Sequence, residues 1–207
     1  MAYILRIDSS SRIANSHSRQ LADHFQTTWL EKYPEDQVVV RDLAKTPLPH
    51  LTDLAIAGFY TPPEQQSPAM KTETALSDQL IAELQGADTL LLSVPMYNFS
   101  VPSALKAWID QIVRIGETFA YDGTNFTGLV KVKRAYIICA YGAGGYLQGG
   151  SFAGFNFLEP YLQGLFSFLG IKEIEFFHLQ GTTGDAKAIA ANTEQTQQTI
   201  SQTISSL

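Results

Sequence analysis

The sequence predicts an α/β protein built on a doubly wound sheet of five parallel strands, with helices on both faces and the strand order 2-1-3-4-5. Short apolar runs alternate along the chain with longer segments of helical periodicity, which is typical of parallel sheets joined by right-handed crossovers. Five strands within 207 residues suit this strand order. The length also suits one domain, residues 1–207, with a single full core.

The five predicted strands are short apolar runs separated by longer segments. The third run is apolar on both faces, as a central strand covered by helices on both sides requires. The runs are AYILRID at 2–8, QVVVRDL at 37–43, ADTLLLSV at 87–94, RAYIICAY at 134–141 and IKEIEFFHL at 171–179.

The predicted helices carry apolar residues three or four positions apart, which is the spacing of one helix face. In the first helix this face contains Leu21, Phe25 and Trp29, and we expect it to pack on the sheet. The predicted helices span residues 18–33, 67–84, 102–115, 157–169 and 185–205.

The composition is that of a globular protein with an acidic surface. Hydrophobic residues make up 45% of the chain, and the formal net charge is −6. Because no long basic run is present, we expect neither nucleic acid nor a membrane as a partner. No signal peptide precedes the first strand and no apolar run reaches about 18 residues, so we expect a cytoplasmic protein. The lone Cys139 lies in an apolar run and reads as a core residue in a reducing compartment.

The predicted strand order indicates where a ligand binds. In such sheets the site lies beyond the carboxyl ends of strands 1 and 3, where the strand order reverses. The loops of interest therefore follow Asp8, Val94 and Ala140.

The first of these loops, at 8–18, is dense in hydroxyl groups and contains no glycine. Free amides at a helix N-terminus favour a phosphate, and serine hydroxyls add donors. Ordinary helix capping is the alternative, although neither Ser16 nor Ser18 has Glu or Gln three residues on, as a reciprocal capping box requires. The loop matches neither a nucleotide P-loop nor a dinucleotide-binding fingerprint.

The other two loops differ in character. PMYNFSVP, at 95–102, lies between two prolines that restrict the backbone at each end. Its amides could face a flat heterocycle covered by Tyr97 or Phe99, or its aromatic rings could merely cap the core. The loop at 140–151 is rich in glycine, which allows close approach to a ligand but is equally common in flexible turns.

Taken together, these loops resemble the FMN-dependent NADH-azoreductase family, whose members are flavodoxin-like quinone and azo-dye reductases. The resemblance spans nearly the whole chain, and PMYNF is its most specific part. The similar stretches are SS at 9–10, SHS at 16–18, RDLAKTPLP at 41–49, LSDQLIAEL at 76–84, PMYNF at 95–99, GETFAYDGTNFTGL at 116–129 and PYLQGLFSFLGI at 160–171.

The family implies a flavodoxin-like fold, one bound FMN per chain, NADH as co-substrate, quinones or azo compounds as acceptors, and a homodimer with the active site at its interface. It also implies a set of cofactor-binding residues, which contact in turn the phosphate, the isoalloxazine ring and its pyrimidine edge. These are Ser10, Ser16, His17 and Ser18, then Met96, Tyr97, Asn98 and Phe99, then Tyr141, Gly142, Ala143 and Gly144.

In the last group the sequence departs from the family pattern of a hydroxyl or Arg followed by a glycine pair, and reads AYGAGG at 140–145. The resemblance also implies a substrate pocket closed by Phe119 and Tyr121 of the partner subunit. We assign no side chain as an essential acid or base. We expect no metal, since no group of His, Cys or carboxylates has ligand spacing.

These assignments predict ping-pong turnover, in which NADH reduces the flavin and leaves before a quinone or azo compound is reduced. Fixed amides of Asn98, Phe99 and the 142–145 loop would favour negative charge on the reduced ring. The alternative, from a different class, is a flavodoxin-type electron carrier that reacts with protein partners. The insertion at 118–129 indicates a covered site and so favours the enzyme.

Overall fold

The computed structural model describes residues 2–207 and contains seven strands and six α-helices in that range. The strands are β1 (Tyr3–Asp8), β2 (Gln37–Asp42), β3 (Thr89–Pro95), β4 (Phe119–Tyr121), β5 (Phe126–Gly128), β6 (Arg134–Ala140) and β7 (Glu173–Leu179). The helices are α1 (His17–Lys32), α2 (Asp53–Phe59), α3 (Pro68–Gly86), α4 (Ser103–Ile112), α5 (Leu158–Phe168) and α6 (Ala186–Ser206). Five of the strands form a parallel sheet in the order β2-β1-β3-β6-β7, which confirms the predicted order 2-1-3-4-5.

Helices cover both faces of the sheet, and the alternation of side chains along each strand divides the core in two. In β1, Leu5 and Ile7 join the cluster beneath α3, α4 and α5, whereas Ile4 joins the cluster beneath α1 and α6. Cys139 is fully buried in the first cluster, as predicted, and burial raises the pKa of its thiol. Among residues 2–207, no helix combines the length and apolar character needed to cross a membrane.

The five predicted helices are present, with ends that differ from the predicted ones by at most three residues. Helix α2 was not predicted from the sequence. It begins after Thr52, whose Oγ1 accepts a hydrogen bond from the N–H of Ala55 at 3.0 Å. Its seven residues are too few to display a clear helical period.

The segment that resembles the family insertion forms an antiparallel hairpin, β4–β5, outside the main sheet. The hairpin packs tightly on the residues that follow α5. A Cβ added to Gly128 would lie 2.2 Å from the backbone of both Leu169 and Gly170, so only glycine fits at this position. The rings of Phe119 and Phe168 are 5.0 Å apart and reinforce the same contact.

Backbone hydrogen bonds continue past the carboxyl ends of the strands and hold the following loops together. The N–H of Ser9 donates to the carbonyl of Ser93, and the N–H of Met96 donates to the carbonyl of Ala140. The N–H of Tyr141 donates to the carbonyl of Leu179. The loops after β1, β3, β6 and β7 therefore meet at one edge of the sheet.

Candidate functional site

A cavity of about 190 Å³ lies at this edge, beside the first turn of α1. Four loops line it, and none of the lining residues is acidic although the chain as a whole carries a charge of −6. An anion is therefore the favoured occupant. The lining residues are Ser10, Arg12, Asn15, Ser16, His17, Ser18, Pro95, Met96, Tyr97, Ala140, Gly142, Thr182 and Thr183.

The N-terminus of α1 supplies the strongest anion-binding feature of the cavity. Asn15 has a φ of 57°, and it leads into Ser16, the N-cap residue, whose side chain makes no capping hydrogen bond. Within residues 2–207 the first three amides of the helix therefore have no acceptor. The hydroxyls of Ser16 and Ser18 are buried and lie 3.4 Å apart. Free amides, two hydroxyls and the positive end of the helix dipole together suit a phosphate group.

The loop between the two prolines contains a tight turn with two central residues. Tyr97 and Ser100 exchange backbone hydrogen bonds of 3.0 and 3.1 Å, and the two residues between them have positive φ, 47° at Asn98 and 72° at Phe99. Positive φ at both central residues is the pattern of a type I′ turn. Asn tolerates this conformation, but Phe rarely adopts it, and we estimate the cost at about 1–3 kcal/mol.

Contacts on both sides hold this strained turn in place. The carbonyl of Phe99 accepts a hydrogen bond of 3.0 Å from the N–H of Phe157, and the rings of Phe99 and Phe155 lie 5.6 Å apart. The hydroxyl of Tyr97 accepts a hydrogen bond of 3.3 Å from the N–H of Ser11. The turn is thus tied both to the serine loop and to the segment that precedes α5.

A second cavity of about 570 Å³ lies next to the first, because Tyr97 lines both. Asn98 lines this second cavity and not the first. The second cavity also contains the Lys106–Asp110 ion pair, with Nζ and Oδ1 2.5 Å apart. The loop at 95–102 therefore separates two spaces, one suited to an anion and one broader.

The loop after β6 is held by the loop after β7. The carbonyl of Tyr141 accepts hydrogen bonds from the N–H and the hydroxyl of Thr182, at 3.0 and 3.1 Å. The carbonyl of Gly142 accepts the equivalent pair from Thr183, at 3.1 and 2.9 Å. The ring of Tyr141 is fully buried in the core, and burial raises the pKa of its hydroxyl.

The structure brings together seven of the twelve residues assigned to the cofactor by resemblance. The residues that line the first cavity are Ser10, Ser16, His17, Ser18, Met96, Tyr97 and Gly142. Ala143 and Gly144 are exposed and do not line it, and neither does Phe99. Tyr141 has its backbone groups engaged and its ring in the core.

Six lining residues were not among those assigned from the sequence: Arg12, Asn15, Pro95, Ala140, Thr182 and Thr183. The first four lie in loops that the sequence had singled out, whereas the loop of the two threonines was missed. The two threonines come from GTTGD at 181–185, a hydroxyl-rich loop between β7 and α6. The carboxyl-end rule applied to the last strand would have identified them, because β7 ends at the same edge as β1 and β3.

The predicted substrate-pocket residues lie on the β4–β5 hairpin and line neither cavity of their own chain. Phe119 packs on Phe126 and Phe168, whereas Tyr121 is half exposed and stacks on Phe126 at 4.7 Å. Their contribution to the active site of a partner subunit stays a prediction.

A buried charge network lies beneath the serine loop. Asp8 and Asp42 end neighbouring parallel strands and are paired in register. Arg6 contacts Asp8 through Nε and Nη2, both at 3.0 Å. Arg19 contacts Asp42 through both terminal nitrogens, at 2.7 and 2.8 Å, and lowers the pKa of that carboxyl to about 2. No group of three His, Cys, Asp or Glu in the described chain is arranged to hold a metal ion.

Comparison with known proteins places these features in a family. Residues 2–204 match the model of a family described as having a flavodoxin-like fold. The FMN-dependent NADH:quinone oxidoreductase of Xanthobacter autotrophicus is 52% identical over 175 residues, which are 84% of each chain. The protein of the same description from Hydrogenovibrio crunogenus is 43% identical over 200 residues, 97% of this chain and 98% of that one.

Solved structures show the same fold. An azoreductase from Bacillus anthracis superposes with a TM-score of 0.90 at 22% identity, covering 100% of both chains. An FMN-dependent NADH-azoreductase from another strain of that species, solved in complex with FMN, has a TM-score of 0.85 at 22% identity and covers 99% of this chain and 100% of that one.

Proposed function

The chain belongs to this family of flavodoxin-like fold, and from that premise we propose that it is an FMN-dependent NADH:quinone oxidoreductase that also reduces azo compounds. The resemblance found in the sequence is thereby confirmed. The observation that carries the proposal is the cavity at the N-terminus of α1, which no acidic residue lines and where the helix has no side-chain cap. Curated relatives at 43% and 52% identity, matched over most of their length, support the choice of cofactor and reaction.

The donor set of the cavity fits the phosphate end of FMN. Ser10, Ser16, His17 and Ser18 would hold the phosphate, through the buried hydroxyls of the three serines and the free amides of the first helical turn. A phosphate at this position would be stabilised by charge-assisted hydrogen bonds and by the helix dipole. The backbone of Gly142 would lie within reach of the cofactor, since it lines the same space.

The loop at 95–102 suits the isoalloxazine ring. Met96 and Tyr97 offer apolar and aromatic surface, and the amides of Asn98 and Phe99 have no acceptor within residues 2–207. The type I′ turn fixes these amides in advance, so no reorganisation is needed when negative charge develops near them. When bound, the flavin would supply the redox chemistry, taking a hydride from NADH and passing reducing equivalents to a quinone or azo acceptor, and we propose that turnover is ping-pong.

The active site would be completed in a homodimer. Tyr121 and Phe126 of the hairpin are 48% and 60% exposed, which is the kind of aromatic surface that a partner covers. Phe119 and Tyr121 would then border the substrate pocket of the other subunit. Light scattering on the purified chain should give the mass of a dimer, and a monomeric mass at working concentration would contradict the shared site. We further infer a cytoplasmic location and a single FMN-binding domain.

The proposed reaction has a direct test. The purified chain should be yellow with one FMN bound, and mixing it with NADH in the absence of oxygen should bleach the flavin promptly. Quinone added afterwards should restore the colour. A flavin that stays oxidised with NADH would favour the electron carrier, and a colourless chain that takes up no added FMN would exclude both.

A further inference from the structure

We propose that Arg19 is a positioning residue for the phosphate-binding loop, acting through the carbonyl oxygen of Ser10 and not by touching the ligand. The inference rests on the proposed function, because the phosphate in question is that of FMN. Arg19 follows Ser18 in the first turn of α1, yet its side chain is only 9% exposed and does not line the cavity. Its Nη2 donates a hydrogen bond of 2.8 Å to the carbonyl of Ser10.

The position of Arg19 is costly for a helix. A cation in the first turn faces the positive end of the helix dipole, where acidic residues are normally preferred. Burial of the guanidinium adds a desolvation cost that only close anionic partners offset. The contacts of the Arg19 side chain must therefore offset these two costs. All of its hydrogen-bond partners lie in the serine loop or at the ends of the strands beneath that loop.

Those contacts form a clamp between two strands and the loop. The fork of Arg19 binds Asp42 at the end of β2 and reaches Asp8 at the end of β1, with Nη1 and Oδ2 3.3 Å apart. Without Arg19, the paired register of the two strands would leave the two carboxylates side by side, with Arg6 as the remaining buried cation and the exposed Lys45 at 3.8 Å from Asp42. The same Nη2 that binds Asp42 fixes the Ser10 carbonyl.

The hydrogen bond to the Ser10 carbonyl orients the serine loop at 8–18 as it leaves β1 and approaches the cavity. Ser10 is itself buried and lines the cavity, and its hydroxyl accepts a hydrogen bond of 3.3 Å from the N–H of Arg12. The start of the loop is held by the guanidinium, and its end is held by α1, on which Arg19 also lies. One side chain thus joins both ends of the loop and sets the distance across it.

The expected consequence is selective loss of phosphate recognition. In Arg19→Gln, which cannot bind Asp42 and Ser10 together, the affinity for FMN should fall roughly ten- to hundredfold. The affinity for riboflavin, which has the same ring and no phosphate, should change little. The readout is the dissociation constant for riboflavin divided by that for FMN, and this ratio should fall in the variant. A general loss of structure would weaken the binding of both flavins alike and leave the ratio unchanged.

The experiment titrates the flavin-free full-length chain with FMN and with riboflavin, following flavin fluorescence well below the melting temperature. Arg41→Gln is the matched control: Arg41 adjoins Asp42 on β2 and also binds a carboxylate, that of Glu83, through two nitrogens, but it makes no contact with the loop. The control should keep the wild-type ratio. Arg19→Lys retains the charge without the planar fork and should lower the ratio by a smaller factor.

Three outcomes would overturn the inference. The first is a wild-type ratio in Arg19→Gln or, should that variant fail to fold, in Arg19→Lys. The second is a fall in the ratio for Arg41→Gln that is as large as the fall for Arg19→Gln. The third is a wild-type chain that binds neither flavin, which would refute the proposed function itself and the inference with it. Selective loss in the Arg19 variants alone supports the clamp.

Discussion

At the scale of single residues, Ser16 and Ser18 carry the main expectation about cofactor binding. Both hydroxyls are buried and line the anion cavity. In the double variant Ser16→Ala, Ser18→Ala, each lost charge-assisted hydrogen bond should cost about 1.5–3 kcal/mol of FMN binding. Flavin fluorescence titration measures the change.

Ser11→Ala provides the control for that experiment, since Ser11 lies in the same loop but is exposed and does not line the cavity. Its variant should bind FMN as the wild-type chain does. Undiminished affinity in the double serine variant would move the phosphate to another part of the molecule.

Phe99 allows a test of backbone strain. Its φ of 72° disfavours any residue with a Cβ, so Phe99→Gly and Phe99→Ala, which both lack the ring, differ mainly in this strain. We expect Phe99→Gly to be more stable than Phe99→Ala by about 1 kcal/mol or more in urea unfolding. Equal stability, or a more stable alanine variant, would show that the turn relaxes at little cost.

At the scale of elements, the hairpin β4–β5 depends on the close approach of Gly128 to the chain after α5. In Gly128→Ala the added methyl group meets backbone atoms that cannot move aside easily, and we expect a loss of about 1–3 kcal/mol in unfolding free energy. Urea denaturation followed by circular dichroism measures it.

Gly164→Ala is the matched control for the hairpin. Gly164 lies within α5, and a Cβ there would meet nothing within 4 Å. Because glycine is a poor residue for a helix interior, this variant should be neutral or more stable by up to about 1 kcal/mol. If both variants were equally harmless, the hairpin would not be docked as described.

The main elements could be predicted from the sequence because their signals are local. Each strand of the sheet and five of the helices show their own apolar period, and the carboxyl-end rule then located the site. The hairpin strands have three residues each, too few for a visible alternation. The positive φ of Phe99 could not be foreseen, because it is imposed by Phe155 and Phe157, distant in the sequence, against the preference of Phe itself.

Only part of the site could be predicted, because only part of it has a local sequence signal. Serine hydroxyls and the loop at 95–102 are visible as motifs, whereas the clamp of Arg19 joins Asp8, Ser10 and Asp42 from three different segments. A buried charge has no distinctive sequence pattern of its own. The only local sign was the presence of Arg6 and Asp8 in a strand that is otherwise apolar.

At the scale of the whole molecule, the buried network should make stability depend on acidity. The pKa of Asp42 is lowered from its ordinary value of 3.8 to about 2, chiefly by its hydrogen bond with Arg19. A lowered pKa in the folded state stabilises the protein above pH 4, and that contribution is lost as the pH falls through about 2. Its size is up to about 2 kcal/mol.

Asp42→Asn is the variant that isolates this effect. Urea unfolding of both proteins between pH 2 and pH 6 should show a difference in unfolding free energy that is largest above pH 4 and shrinks towards pH 2. A difference that stays constant over this range would mean that ionisation of Asp42 does not contribute to stability.

The threonine contacts of the last loop bear on the order of events during synthesis. Thr182 and Thr183 hold the carbonyls of Tyr141 and Gly142, so one wall of the cavity is set only after the ribosome has passed residue 183 and β7 has joined the sheet. A nascent chain that stops earlier has the serine loop but not the complete cavity. A ligand that binds the folded state and not the unfolded one stabilises the fold, so we expect the cellular supply of FMN to influence how much of the newly made protein survives.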